Sequence, residues 1–314
     1  MKIYRNQASF KATEKTYITI GTFDGVHIGH QKVLKTLIDE ARENKTTPLL
    51  LTFFPHPRMV LQQDVELKLI NTLDERIQLL ESTGLEQLFI HPFSKDFARL
   101  SALDFVRSLL VNTLHVSKLF IGYDHHFGKN REGNYEQLED YAHTYDFEVS
   151  EISEQDIDNI AVSSTKIRKA LDTGDIERAN RYLGYPFMLT GTVVKGKSLG
   201  KTIGFPTANL YIEESYKLIP KTGAYIVQAT IDQRLVYGMM NIGYKPTLGG
   251  DTQTIEIHFF NLQQDLYGQK IQVQVLKFLR AEEKFNSVEA LKKQLQTDRL
   301  NAQSFIKQRK PLHP

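Results

Sequence analysis

The sequence predicts an α/β chain in two parts: a parallel, doubly wound sheet first, then a small antiparallel β-barrel closed by a C-terminal helix. Three observations carry this reading. Short, nearly continuous apolar runs alternate with helix-period segments as far as Leu183. Beyond Gly184-Tyr185-Pro186, strand-like runs follow one another with only turn residues between them. A last helical pattern opens at Ser287. Continuous apolar runs mark strands covered on both faces, and regular β–α alternation is the pattern of a parallel sheet. At 314 residues the chain has room for two ordinary domains, and the break at Gly184–Pro186 sets them at 1–184 and 185–314.

In the first half the strands fall at Tyr17–Ile20, Pro48–Phe54, Gln87–Ile90, Lys118–Gly122 and Phe147–Ile152. Thr72 opens a helix, with Glu75 completing a capping box and Gly84 ending it. Ser101 opens another, with Leu103, Val106 and Leu110 on one stripe. Two short helices follow near Ser164–Leu171 and Asp175–Leu183. In the second half, strands fall at Leu189–Lys195, Ala224–Ile231, Leu235–Asn241, Thr254–Phe260 and Ile271–Leu279. Gln272, Gln274 and Lys277 alternate with Val273 and Val275, the pattern of an antiparallel strand wet on one side. Ser287 starts the closing helix, through Leu291 and Leu295.

Composition narrows the function classes. A net charge of +2 gives no sign of a polyanion-binding surface, so nucleic acid is not an expected partner. The chain has no cysteine, which excludes disulfides, thiolate metal sites and cysteine nucleophiles. The first residues hold no continuous apolar stretch of the kind a secretory signal needs, and no run approaches the roughly 20 apolar residues of a membrane helix. The expected location is the cytoplasm, without membrane association; nothing specifies a protein partner.

The first chemical constellation follows the first strand of that set. Gly21-Thr22-Phe23-Asp24-Gly25-Val26-His27-Ile28-Gly29-His30 leads into a helix-like segment from Gln31. Glycines permit tight turns and close backbone approach, and a helix N-terminus offers unpaired N–H groups to a phosphate. His27 and His30, three apart, share a face of a first helical turn and can donate to a phosphoryl group in transfer. A metal site is disfavoured, because no third ligand stands at a local spacing. Further on, Ser164 and Thr165 are good capping residues before a short helix, and Arg168 carries a planar fork suited to phosphates.

The second constellation begins with a false motif. Gly191 to Ser198 fits G-x-x-x-x-G-K-[ST], yet a P-loop must lie between a strand and a helix. Here Thr192–Val194 read as the strand itself. The following Leu199–Pro206 carries two glycines and a proline and is not expected to form a helix. Gly196, Gly200 and Gly204 instead free the backbone of another phosphate loop, with Lys197 and Lys201 supplying charge. Thr207 and Asn209 present hard oxygen donors suited to Mg²⁺. Glu256, between two isoleucines, is open to two readings: an exposed strand residue, or a general base facing a cleft.

The string GTFDGVHIGHQ contains the H-x-G-H signature of the nucleotidyltransferase superfamily, and as a whole it resembles the bacterial bifunctional riboflavin kinase/FAD synthetase family. Further matches run along most of the chain. Phe54-Pro55-His56-Pro57 resembles the family's flavin-site loop. Gly122–Gly128 resembles G-x-D-F-x-F-G, with His125 where the family usually has Phe. Val162–Arg168 resembles I-S-S-T-x-I-R. In the second half G-F-P-T-A-N, N-I-G-x-x-P-T (Asn241–Thr247), I-E-I-H and D-L-Y-G (Asp265–Gly268) match the riboflavin kinase domain in order. The resemblance implies a Rossmann-like nucleotidyltransferase domain joined to a kinase barrel. It implies ATP binding by Gly21, Phe23, Gly29, Ser164 and Thr165, with His27, His30 and Arg168 at the transition state of adenylyl transfer. It implies flavin contacts by Phe54, His56, Pro57, Asp124 and Phe127, and by Arg280 in the barrel. In the kinase site it implies MgATP on Gly196, Lys197, Lys201, Thr207 and Asn209, with Glu256 deprotonating the ribityl hydroxyl. The implied ligands are riboflavin, FMN, FAD and ATP, with Mg²⁺ as cofactor. Two alternatives stand beside this: a kinase whose other half is inactive or uses another phosphorylated substrate, and a flavin-binding regulator on the same scaffold.

Overall fold

The computed structural model describes residues 1–10, 14–62, 66–122, 127–129, 132–152, 162–196, 199–247 and 250–309; the side chains of 199, 201, 245–247, 250 and 251 are not described. The chain divides into two compact units, Met1–Ser164 and Thr165–Pro314.

The first unit is built on a six-stranded sheet of order β1-β4-β3-β2-β5-β6. The strands are β1 (Lys2–Tyr4), β2 (Thr16–Ile20), β3 (Thr47–Phe54), β4 (Gln87–Pro92), β5 (Val116–Gly122) and β6 (Glu148–Ile152). Every neighbouring pair is parallel. Its continuous apolar runs put alternate residues into two separate cores. Ile18, Leu49, Leu51 and Phe89 face one side, while Leu50, Leu88, Ile90 and Phe120 face the other. The helix Ile28–Glu43 covers the second side with Leu34, Leu37 and Ile38. The capping box at Thr72 is present, with both reciprocal bonds, on the helix Leu73–Ser82, and Gly84 follows in the left-handed region. β1 was not expected, because three residues are too few to show a period.

The stripe read after Ser101 needs correction. Leu103 is 39 % exposed, whereas Ala102, Phe105, Val106, Leu109 and Leu110 are buried. The helix is α-wound only over Ala102–Phe105 and widens to a π-helix over Val106–Val111. The changed pitch turns a different set of side chains to the core.

In the second unit the helix Ile176–Leu183 is capped by Asp175 and ended by Gly184 at φ 80°. It packs on the barrel: Asn180 Nδ2 donates to the Val275 carbonyl (2.9 Å), and Asn180 Oδ1 accepts from the Phe187 amide (2.7 Å). These contacts are why the compact unit starts before Gly184. The barrel is closed, with order β10-β11-β8-β7-β12-β9. Its strands are β7 (Phe187–Val194), β8 (Ala208–Tyr211), β9 (Gly223–Ile231), β10 (Arg234–Thr247), β11 (Gly250–Phe259) and β12 (Lys270–Arg280), all neighbours antiparallel. The short, polar β8 was not foreseen. The one-side-wet alternation of β12 holds up to a bulge between Val275 and Lys277, where Val275 and Leu276 are both buried. The extra residue sends Leu276 to the outer face, where it joins Ile226, Met239, Phe260 and Ala302 under the helix Val288–Gln308.

One further expectation fails. Leu199–Thr202 does form a single helical turn. It closes at once, because the Phe205 amide donates back to the Gly200 carbonyl at 2.8 Å.

Candidate functional site

In the first unit β2 lies between β3 and β5, so the chain leaves it where the strand order reverses, the place at which open parallel sheets bind ligands. The loop from Gly21 to His27 is tightly coiled: Phe23, Gly25 and Val26 have φ of 48°, 90° and 35°. A β-branched residue there is strained, and burial of Val26 at 1 % exposure holds it in place. A Cβ on Gly21 would lie 2.9 Å from the Phe23 ring, so glycine is required for the ring to fold back. Buried polar groups pin the loop. Arg76, fully buried, donates from Nη1 to the Thr22 carbonyl (2.9 Å), which Thr52 Oγ1 also reaches. The Asp24 carboxylate accepts from the Ile70 and Asn71 amides at 3.0 and 3.4 Å. Gln31 Nε2 donates to the Val26 carbonyl.

The helix starts at Ile28 rather than Gln31, and His27 is its N-cap. His27 Nδ1 accepts from the His30 amide at 3.3 Å, so the neutral ring carries its proton on Nε2. The two imidazoles stack at 3.7 Å, and the Phe23 ring lies 4.6 Å from His30. Burial pushes His27 down to about 4, against the pull of Asp24. Burial, then His27 and Arg76, hold His30 well below its ordinary range. Both rings are therefore neutral near pH 7, and each offers one donor rather than two. His30 Nδ1 is buried with no hydrogen-bond partner among the described residues. Gly29, buried between them, adds no side chain to the first helical turn, whose N–H groups are of the kind that bind anions.

Ser164 joins this site: its Oγ donates to the Asp24 carbonyl at 2.8 Å. It is the first residue of its helix and uses its hydroxyl on the loop instead of on a cap. On the same helix Thr165 is exposed and Arg168 half-buried, the latter opposing the upward shift that burial gives Asp172. Phe54 packs in the core layer that holds Phe23 and Val26. His56 is a buried cap: its Nδ1 accepts from the Arg58 amide at the start of the helix Pro57–Leu61. Phe127 is not brought to Phe54. It lies in the other layer, 8 % exposed, beside Phe105 at 5.9 Å. Asp124 and Lys197 lie outside the described residues, as does the side chain of Lys201.

In the barrel, cross-strand register aligns Arg280, Ala224, Asn241, Glu256, Asn209 and Val194 in one row. Residues directly opposite one another share a face. Met239, two before Asn241, lies under the closing helix, so the row sits on the outer face. There Thr207 Oγ1 donates to Glu256 Oε2 at 3.3 Å. The Asn209 amide lies over Gly196, where a Cβ would come within 2.1 Å of Nδ2. Gly204, at φ 85°, has open space beside it. Gly243 leaves room for the Glu282 carboxylate, 2.3 Å from where its Cβ would be. A hydroxyl, an amide oxygen and a carboxylate form a hard-oxygen set that fits Mg²⁺ when phosphates and water complete the shell. Arg280 stands at one end of this row. It grips Asp298 of the closing helix through Nε and Nη2 at 2.9–3.1 Å, and Gln294 donates to the same carboxylate.

Sequence reading missed Arg76, whose place inside a capped amphipathic helix looks like a solvated position. It also missed Asp298 and the aromatic series Phe53, Phe97 and Phe105 that continues to Phe127.

A parallel sheet with a histidine-capped helix at its switch point, followed by a barrel holding a carboxylate among hydroxyl and amide oxygens, defines a two-module chain with one candidate phosphate-handling site per module. The family model for FAD synthetase matches residues 9–166, and that for riboflavin kinase matches residues 183–306. The bifunctional riboflavin kinase/FMN adenylyltransferase of Bacillus subtilis (strain 168) is 38% identical over 299 residues, 92% of each chain. That of Escherichia coli (strain K12) is 35% identical over 314 residues, 99% of this chain and 100% of the relative. The chain belongs to the bifunctional riboflavin kinase/FMN adenylyltransferase family. A crystal structure from Streptococcus pneumoniae, described as a macrolide-efflux protein, matches with a TM-score of 0.86 at 29% identity over 96% of this chain and 98% of that one. Among the described residues no helix is long and apolar enough to cross a membrane.

Proposed function

We propose that this chain phosphorylates riboflavin to FMN with one ATP, then transfers the adenylyl group of a second ATP to FMN, giving FAD and pyrophosphate. Family membership supports both reactions. The observation that carries the reading is that each compact unit has its own set of converging polar groups: the neutral His27–His30 pair in one, and Glu256 bonded to Thr207 in the other. In this reading residues 1–184 form the adenylyltransferase half and 185–314 the kinase half.

In the kinase half Glu256 accepts the proton of the ribityl hydroxyl as its oxygen attacks the γ-phosphorus, and ADP leaves. Thr207 and Asn209 would hold Mg²⁺ against the ATP phosphates, with Gly196 close beside the Asn209 amide. Mg²⁺, when bound, neutralises phosphate charge. Arg280, which also holds Asp298 of the closing helix, lies on the flavin side.

In the other half an FMN phosphate oxygen attacks the α-phosphorus of ATP, and no covalent intermediate forms. His27 donates from Nε2, His30 lies beside it, and the amides of the first turn add further donors to the charge that develops. Arg168 contributes a fixed positive charge. Gly21, Phe23, Gly29, Ser164 and Thr165 form the ATP side. Phe54, His56 and Pro57 form the flavin side, and Phe127 is buried in the core.

The test is direct. Purified protein is incubated with riboflavin, ATP and Mg²⁺, and FMN and FAD are separated by chromatography. Both should form in sequence, and chelation of Mg²⁺ should stop phosphorylation. FMN without FAD would remove the adenylyl reading. Formation of neither would remove both.

A further inference from the structure

We propose that His258 is a positioning residue of the kinase site, holding the Pro206 carbonyl and thereby setting Thr207 against Glu256. The inference rests on the kinase reading given above. His258 stands two residues beyond Glu256 on β11, so both side chains leave the same face of the barrel. Its cross-strand partner is Met239, as Asn241 is that of Glu256. The ring is held edge-on between Phe205 and Phe260, at centroid distances of 5.2 and 5.9 Å. That leaves Nδ1 directed at the Pro206 carbonyl, 2.8 Å away. A carbonyl only accepts, so Nδ1 carries the proton and donates.

The position of this bond gives it leverage. The stretch between the single turn Leu199–Thr202 and β8 is irregular: the Phe205 amide ties it back to the Gly200 carbonyl of that turn, and pairing with β11 begins at Ala208. Pro206 has no N–H, so its carbonyl is the one backbone hydrogen-bonding group it can offer. Thr207 is the next residue, and its Oγ1 reaches Glu256 Oε2 at 3.3 Å. His258 therefore ties the segment bearing Thr207 to the same strand that bears Glu256. With that tie, hydroxyl and carboxylate move together.

Two substitutions separate the hydrogen bond from the packing. His258→Phe keeps a flat ring between Phe205 and Phe260 but has no donor. His258→Asn restores an amide N–H close to the Nδ1 position. In the full chain, riboflavin phosphorylation is measured as kcat and as KM for MgATP and for riboflavin, with adenylylation of supplied FMN as the control. Loss of one such bond should lower kcat/KM for MgATP by about ten-fold in His258→Phe. The KM for riboflavin and the rate of adenylylation should stay near wild type, and His258→Asn should recover most of the loss. Wild-type kinase constants in His258→Phe would overturn the role. So would equal losses in the Phe and Asn variants, which would make the imidazole shape the cause. A fall in adenylylation to match would point to general destabilisation and also overturn it. A wild-type chain inert toward riboflavin would instead remove the kinase reading, and this role with it.

Discussion

Replacing Gly196 by alanine tests the kinase site through a single contact. A Cβ at this position would lie 2.1 Å from Asn209 Nδ2 and 2.8 Å from Oδ1. Gly196 does not have a left-handed φ, so alanine brings no backbone strain and the perturbation is steric. Ordinary contact begins at 3.4 Å, so the amide must retreat by more than about 1 Å or rotate out of place. Asn209 directly faces Glu256 across β8 and β11. A misplacement of about 1 Å in a group that positions reactants can cost on the order of a hundred-fold in rate. The assay is steady-state phosphorylation at saturating riboflavin with MgATP varied, alongside a thermal melt and adenylylation of FMN. The expected result is a fall of roughly ten- to a hundred-fold in kcat/KM for MgATP, with adenylylation and melting near wild type. A folded Gly196→Ala protein with wild-type phosphorylation would show that Asn209 does not need the place it occupies.

Glu256→Gln keeps the shape of the side chain and removes its basicity; riboflavin phosphorylation should drop roughly a hundred- to ten-thousand-fold, measured as FMN formation, with adenylylation retained. His30→Ala removes a group from the adenylyl site; FAD formation from FMN should slow by roughly a hundred- to a thousand-fold while FMN formation persists, read by chromatography of both products. The His27 ring makes the first unit sensitive to acid. Its pKa falls from 6.5 to about 4 on folding, so the unfolded chain takes up the proton first as pH drops. The stabilisation is complete above 6.5 and is lost towards 4, with a ceiling of about 3 kcal/mol. Urea midpoints measured from pH 7 to 4.5 should decline more steeply for wild type than for His27→Asn, which keeps a capping acceptor without the titration. Parallel slopes would contradict the burial of a neutral imidazole.

Much of the fold could be read locally. Continuous apolar runs such as Pro48–Phe54 announce strands covered on both sides, and β3 is flanked by two cores. Thr72 with Glu75, and Gly184 after Leu183, mark helix ends because capping involves only residues a few positions apart. The spacing of His27 and His30 and the order of the barrel motifs were legible for the same reason. The tertiary structure decided the remainder, because it depends on residues distant in the chain. Neutrality of the two imidazoles comes from burial beneath Phe23 and beside Arg76, and no local spacing reports desolvation. The separation of Phe54 from Phe127 follows from the different cores in which the two rings pack. The closing of Arg280 on Asp298 needs the final helix in place over β12. The meeting of Thr207, Asn209 and Glu256 is a matter of strand register, which pairs β8 with β11 across a gap that sequence periodicity does not span.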